Sequence, residues 1–136
     1  MKGSYILVVY IAKNTHIEIG ALGNILFSKG YYLYTGSALG NSGSSTLSNR
    51  VKRHLSFTNK KLHWHIDYLL KNPFCFLYCL YLIPTNKNYE CTIANELLQI
   101  SEGYIQKFGS SDCKCKSHLV YFKDFKGLDK LHLKIK

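Results

Sequence analysis

Tyr5-Ile6-Leu7-Val8-Val9-Tyr10-Ile11-Ala12 is an unbroken run of β-branched, aromatic and aliphatic residues. Such a run is too short for a fully buried helix and reads as a strand covered on both faces. The neighbouring segments supply the rest of a sheet. His16-Ile17-Glu18-Ile19 and Asn24-Ile25-Leu26-Phe27 roughly alternate polar with apolar and are separated by Gly20 to Gly23, the pattern of a hairpin. Tyr31 to Tyr34 continues into a further strand, and Thr35 to Ser45, rich in glycine, serine and asparagine, reads as a loop.

Ser44 or Ser45 can cap a helix running to about Phe57, with Leu47, Val51 and Leu55 as its apolar stripe. A second short helix is predicted over His63–Lys71, stopped before Pro73, with Ile66, Leu69 and Leu70 facing inward. Phe74 to Ile83 reads as a central strand. Tyr89 to Ser101 is a third helix, ended by Gly103, and Ser117 to Phe122 a last short strand. The fold class is therefore α/β or, more narrowly, α+β: a small, mainly antiparallel central sheet flanked by helices, with a hairpin inserted near the N-terminus. One domain over residues 1–122 is expected, followed by a basic extension over 123–136 whose alternating Leu131 to Lys136 reads equally as an edge strand or a solvated tail.

The 136 residues include 46% hydrophobic and 14% aromatic residues but only 19% charged ones, a composition that buries enough apolar surface to offset ordering entropy and excludes a disordered chain. The longest apolar run, Phe74 to Ile83, is half of the roughly 20 residues that a membrane-spanning helix requires. No secretory signal is expected behind Met1-Lys2-Gly3-Ser4, and a cytoplasmic location follows. Five cysteines are read as reduced thiols, those at 75, 79 and 91 lying in apolar stretches as core residues.

A net charge of +10 points to an anionic partner, and nucleic acid ranks above a membrane surface because no lysine-rich amphipathic helix is evident. Sixteen of the eighteen cationic residues are lysine, and the two arginines, Arg50 and Arg53, share one short segment. Lysine serves as generic charge, whereas a guanidinium is favoured where a planar fork must grip phosphate. At about 100° per residue, His54 lies roughly 60° from the centre of the helix's apolar stripe, Arg50 roughly 100° and Arg53 roughly 160°. Arg50 and His54 can lean together into a cleft, while Arg53 joins Lys52, Lys60 and Lys61 on a solvent-facing basic surface.

Gly3-Ser4-Tyr5 opens the first strand, Tyr34-Thr35-Gly36 precedes Ser37-Ala38, and Arg50, His54 and an acidic helix start at Glu90 follow. In this order they resemble the GIY-YIG nuclease superfamily, with Ser4 and Thr35 in place of the two isoleucines and a longer separation between Tyr5 and Tyr34 caused by the hairpin. Three stretches are similar to a largely archaeal, mostly uncharacterised branch: Gly-Tyr-Tyr-Leu-Tyr-Thr-Gly-Ser-Ala from Gly30, Lys-Leu-His-Trp-His-Ile-Asp-Tyr-Leu-Leu from Lys61, and Gly-Ser-Ser-Asp-Cys-Lys-Cys-Lys-Ser-His-Leu from Gly109. The resemblance covers Gly3 to about Phe122. It implies a metal-dependent endonuclease acting on DNA, in repair or in processing of structured DNA.

The implied roles make physical sense. Arg50 neutralises the phosphorane-like charge, His54 relays a proton or holds phosphate, and Tyr5 first, Tyr34 second, acts as base once nearby cations favour the phenolate. Glu90 supplies one carboxylate to a divalent ion, Mg2+ with Mn2+ as the alternative, that keeps most of its waters. Glu96 is its rival, more than a turn away. Gly36, Ser37, Lys52, Arg53, Lys60, Lys61 and His65 are expected to meet nucleic acid, with Asp67, Ser110, Ser111 and Asp112 bordering the groove. The sequence does not separate DNA from RNA, nor does it set the oligomeric state.

Two other function classes compete: a noncatalytic nucleic-acid module, and a zinc-stabilised interaction domain. Cys113, Cys115 and His118, like His63 and His65, offer zinc-ligand types, but Cys-x-Cys is not a usual structural knuckle spacing. Zinc is accordingly the disfavoured cofactor.

Overall fold

The computed structural model describes residues 2–38, 64–111 and 113–127. The run at Tyr5 forms the strand β1 (Gly3–Ile11), followed by the hairpin strands β2 (Thr15–Glu18) and β3 (Asn24–Phe27), then β4 (Gly30–Ala38). A 3-10 turn (Gly20–Leu22) between β2 and β3, helix α1 (His65–Lys71), β5 (Cys75–Pro84), helix α2 (Glu90–Ile100), β6 (Gly103–Tyr104) and β7 (Leu119–Phe122) complete the described elements. A five-stranded sheet of order β5-β1-β4-β7-β6 has every neighbouring pair antiparallel, and β2 and β3 form a separate two-stranded sheet. The molecule is a small α+β domain.

Alternation along β1 and β4 divides the core in two. Tyr5, Leu7, Val9, Tyr32 and Tyr34 face α1, the hairpin and Phe108, where Ile66, Leu69, Ile17, Ile19 and Phe27 are buried with them. Ile6, Val8 and Leu33 face the other way, against Ile93 and Leu97 of α2 together with Val120, Phe122 and Phe125. Complete burial of Ile66 and Leu69 holds α1 to the sheet, each side chain contributing about 1.5–3 kcal/mol. The start of α1 is closed by Asp67, whose carboxylate accepts the Trp64 N–H at 2.8 Å.

Several expectations are corrected. Thr35 to Ala38 is strand, not the start of a loop, because β1 begins at Gly3 and its first residues pair with this segment, Gly3 opposite Ala38 and Tyr5 opposite Gly36. The composition of Thr-Gly-Ser-Ala favours a loop locally, and the ladder overrides it. Phe74 to Ile83 yields β5, but among the described strands β5 lies at the edge of the sheet, with Phe76, Leu77, Tyr78 and Leu82 exposed. The central position belongs to β1 and β4. Strand β6 is too short to leave a sequence pattern. Phe125, in the stretch read as an extension, is buried beneath Tyr31, Tyr78 and Tyr81.

Candidate functional site

Gly36 and Ser37 lie just past the ladder between β4 and β7, which runs from Tyr31 opposite Phe122 to Tyr34 opposite Leu119 and is extended by the Thr35 N–H to the His118 carbonyl at 2.9 Å. Two groups of side chains flank this step, one on each face of the sheet. On the α1 face, the Tyr5 ring lies over Gly36: a Cβ at position 36 would sit 2.4 Å from both Cζ and Oη of Tyr5. Only glycine leaves room for that ring. Tyr34 is tilted against Tyr5 with centroids 6.4 Å apart, and Phe108 meets Tyr34 edge-on. Tyr5 is 1% exposed and Tyr34 8%, so Tyr34 is the more accessible phenol.

Gly109 closes the far side of Tyr34. Its φ of +69° is left-handed, and a Cβ there would lie 2.9 Å from Tyr34 Cε1. Its N–H donates to His65 Nδ1 at 2.8 Å, and the His65 ring packs edge-on against Phe108. Burial lowers the His65 pKa, in keeping with a ring nitrogen that must stay unprotonated to accept.

On the α2 face, Ser37 Oγ donates to Glu90 Oε1 at 2.7 Å. Glu90 Oε2 lies 3.0 Å from His118 Nδ1, close enough for strong electrostatic contact although not in ideal hydrogen-bond alignment. The opposite nitrogen of the same ring, Nε2, lies 3.8 Å from Cys91 Sγ and 3.5 Å from Cys113 Sγ. With Cys115 these form a Cys3His group whose ligand atoms all lie within 4.8 Å of one another, a set that could hold a metal ion. Burial opposes a charged His118, but the Glu90 carboxylate and the Cys113 thiol together outweigh it and the imidazole pKa is raised. Burial likewise pushes the Cys91 thiol up, whereas at Cys113 the hydrogen bonds from Cys115 and Cys91 and the His118 charge outweigh burial and hold the thiol down.

Serine and threonine at the two positions that depart from the isoleucine pattern also face α2. Ser4 stands directly opposite Ser37, and Thr35 is its diagonal neighbour across the β1–β4 ladder. Both are buried, and neither Ser4 Oγ nor Thr35 Oγ1 has a hydrogen-bond partner among the described residues. The floor beneath the Ser37–Glu90 pair is therefore polar.

The sequence-derived residues thus fall into groups. Tyr5, Tyr34 and Gly36 come together on one face; Ser37, Glu90, Cys113, Cys115 and His118 come together on the other, joined at the Gly36–Ser37 step. Glu90, not Glu96, is the carboxylate so placed. His65 is engaged by Gly109, Asp67 by the start of α1, and Ser110 is buried with no partner for its hydroxyl among the described residues. Arg50 and His54, together with Lys52, Arg53, Lys60, Lys61, His63 and Asp112, lie outside the described residues. Cys91 is the residue that the sequence reading misplaced: it is not a plain core thiol but the fourth member of the thiol–imidazole group, and its presence overturns the knuckle-spacing objection to a metal there. Its one legible signal was adjacency to Glu90 at an acidic helix start. Among the described residues no helix is long and apolar enough to cross a membrane.

Residues 4–135 match the domain of unknown function DUF123, and the chain belongs to that family. No curated protein and no solved structure matches it.

Proposed function

We propose that this domain is a GIY-YIG-type, metal-dependent endonuclease that hydrolyses phosphodiester bonds in DNA in the cytoplasm. The observation that carries the reading is the Ser37–Glu90 hydrogen bond of 2.7 Å, one residue from the glycine over which Tyr5 lies. It draws segments around residues 5, 34–37 and 90 to one end of one sheet. The net charge of +10 supplies attraction for a polyanion.

Glu90 suits a hard divalent cation such as Mg2+ or Mn2+. Its side chain keeps 24% exposure, and carboxylate oxygens are the hard ligands that such an ion prefers. An ion bound there supplies Lewis-acid charge to a phosphate oxygen. On this reading Ser37 fixes the carboxylate rotamer, and Tyr34, the more accessible phenol, takes the proton-handling role ahead of Tyr5. Tyr5 packs beneath it. Arg50 neutralises charge on the phosphate, and His54 relays a proton. The substrate lies against the half-buried Ser37 and Glu90; Gly36 itself, expected to meet nucleic acid, is buried beneath the Tyr5 ring and serves to seat it.

A nicking assay with duplex, flap and branched DNA, in Mg2+ or Mn2+, tests the reading. Native chain is expected to cleave at least one substrate, with Tyr34→Phe, Arg50→Ala and Glu90→Gln each lowering the rate by about 10²-fold or more while DNA binding and circular dichroism are retained. DNA binding by the native chain with no cleavage of any substrate would instead identify a noncatalytic binding module.

A further inference from the structure

We propose that Cys91, Cys113, Cys115 and His118 form a structural zinc site that fastens the start of α2 to the loop before β7, with Glu90 as the carboxylate that orients the histidine. The inference is independent of the nuclease reading.

Tetrahedral zinc with Zn–S near 2.3 Å and Zn–N near 2.0–2.1 Å separates two sulfurs by about 3.8 Å and a sulfur from a nitrogen by about 3.6 Å. The Nε2–Sγ distances of 3.5 Å to Cys113 and 3.8 Å to Cys91 match the second value, and all four ligand atoms fall within 4.8 Å. Three thiols and one imidazole exceed what a disulfide can use, and all five cysteines are free. Thiolate ligands select zinc over magnesium or manganese. The ligand count is four from the protein, with Cys115 and His118 buried, so the coordination shell is closed and the site structural.

The histidine is arranged for the same task. Nε2 faces the sulfurs while Nδ1 faces Glu90 Oε2 at 3.0 Å, the carboxylate–histidine–metal relation that fixes the ring and its tautomer. The loop that delivers the other ligands has little regular structure of its own. It is held by the His118 N–H to the Phe108 carbonyl at 2.8 Å, the Lys107 N–H to the Lys116 carbonyl at 2.7 Å and the Ser117 turn. A metal cross-link between residues 91 and 113–118 supplies what a small core does not, and it sets the height of Glu90 against Ser37.

The test uses full-length chain purified under reducing conditions, with elemental analysis and cobalt substitution. One zinc per chain is expected, and cobalt should give the intense visible bands of a tetrahedral site with thiolate charge transfer. Cys91→Ser, Cys113→Ser and Cys115→Ser should each lose the stoichiometric metal. Cys75→Ser and Cys79→Ser should keep it. Glu90→Gln should weaken cobalt affinity by about 10–100-fold without changing the band positions. If the cysteine variants fail to fold, cobalt titration of chelator-stripped native chain, with the Cys75→Ser/Cys79→Ser double variant as control, carries the same information. Absence of stoichiometric metal, iron in place of zinc, a disulfide at Cys91, or full metal retention in Cys91→Ser would overturn the assignment.

Discussion

Replacing Gly36 by alanine isolates the contact on which the tyrosine arrangement rests. Gly36 has no left-handed backbone, so alanine is permitted conformationally and only space decides. Its Cβ would stand 2.4 Å from Cζ and Oη of Tyr5, where ordinary contact begins at 3.4 Å, so the ring must move by about 1 Å. Tyr5 is buried and flanked by Tyr34, and overpacking at such a site costs about 1–3 kcal/mol. For a chain of this size that loss lowers Tm by about 4 °C per kcal/mol, or about 4–12 °C in all. Urea denaturation of native, Gly36→Ala, Tyr5→Leu and the double variant measures the coupling directly. Leucine lacks the Cζ and Oη that would collide, so Gly36→Ala should cost less than about 0.5 kcal/mol in that background, leaving a coupling of at least about 0.5–2.5 kcal/mol. An equal loss in both backgrounds would show that Gly36 is required for some other reason, and the account of the Tyr5 ring would fail.

Gly109→Ala should destabilise by about 1–3 kcal/mol through its left-handed backbone and the approach to Tyr34, read by the same denaturation series. The His65 imidazole should titrate below its ordinary 6.5 in an NMR pH series, because burial lowers its pKa and Nδ1 accepts from Gly109. A lowered folded-state pKa means that this contribution to stability is complete above pH 6.5 and is lost as pH falls through the folded value, so a His65 midpoint at or above 6.5 would contradict the assignment. DNA affinity should drop by about 10²-fold or more between 50 and 200 mM salt if lysines displace counterions from four or more phosphates, and a flat response in a filter-binding titration would refute the basic-surface argument.

Much of the fold was legible because hydrophobic pattern and punctuation act locally. The Tyr5 run, the hairpin around Gly20–Gly23, the helix before Pro73 and the helix before Gly103 all took shape near their predicted bounds. What pattern alone could not supply was rank within the sheet: an apolar strand reads alike at centre and edge, so β5 was misplaced. Nor could it reveal that Thr35–Ala38 is strand, since that depends on β1 beginning two residues earlier than its apolar run.

The site divides in the same way. Tyr5, Tyr34, Gly36, Ser37 and Glu90 stood out from residue types and order, and Cys113, Cys115 and His118 from their closeness along the chain. That Cys91 joins those three, and that one imidazole faces Glu90 with one nitrogen and thiols with the other, was decided by α2 docking on the sheet. Side-chain chemistry is written residue by residue, but the distance between Cys91 and His118 depends on strand register and helix packing, which no local stretch encodes.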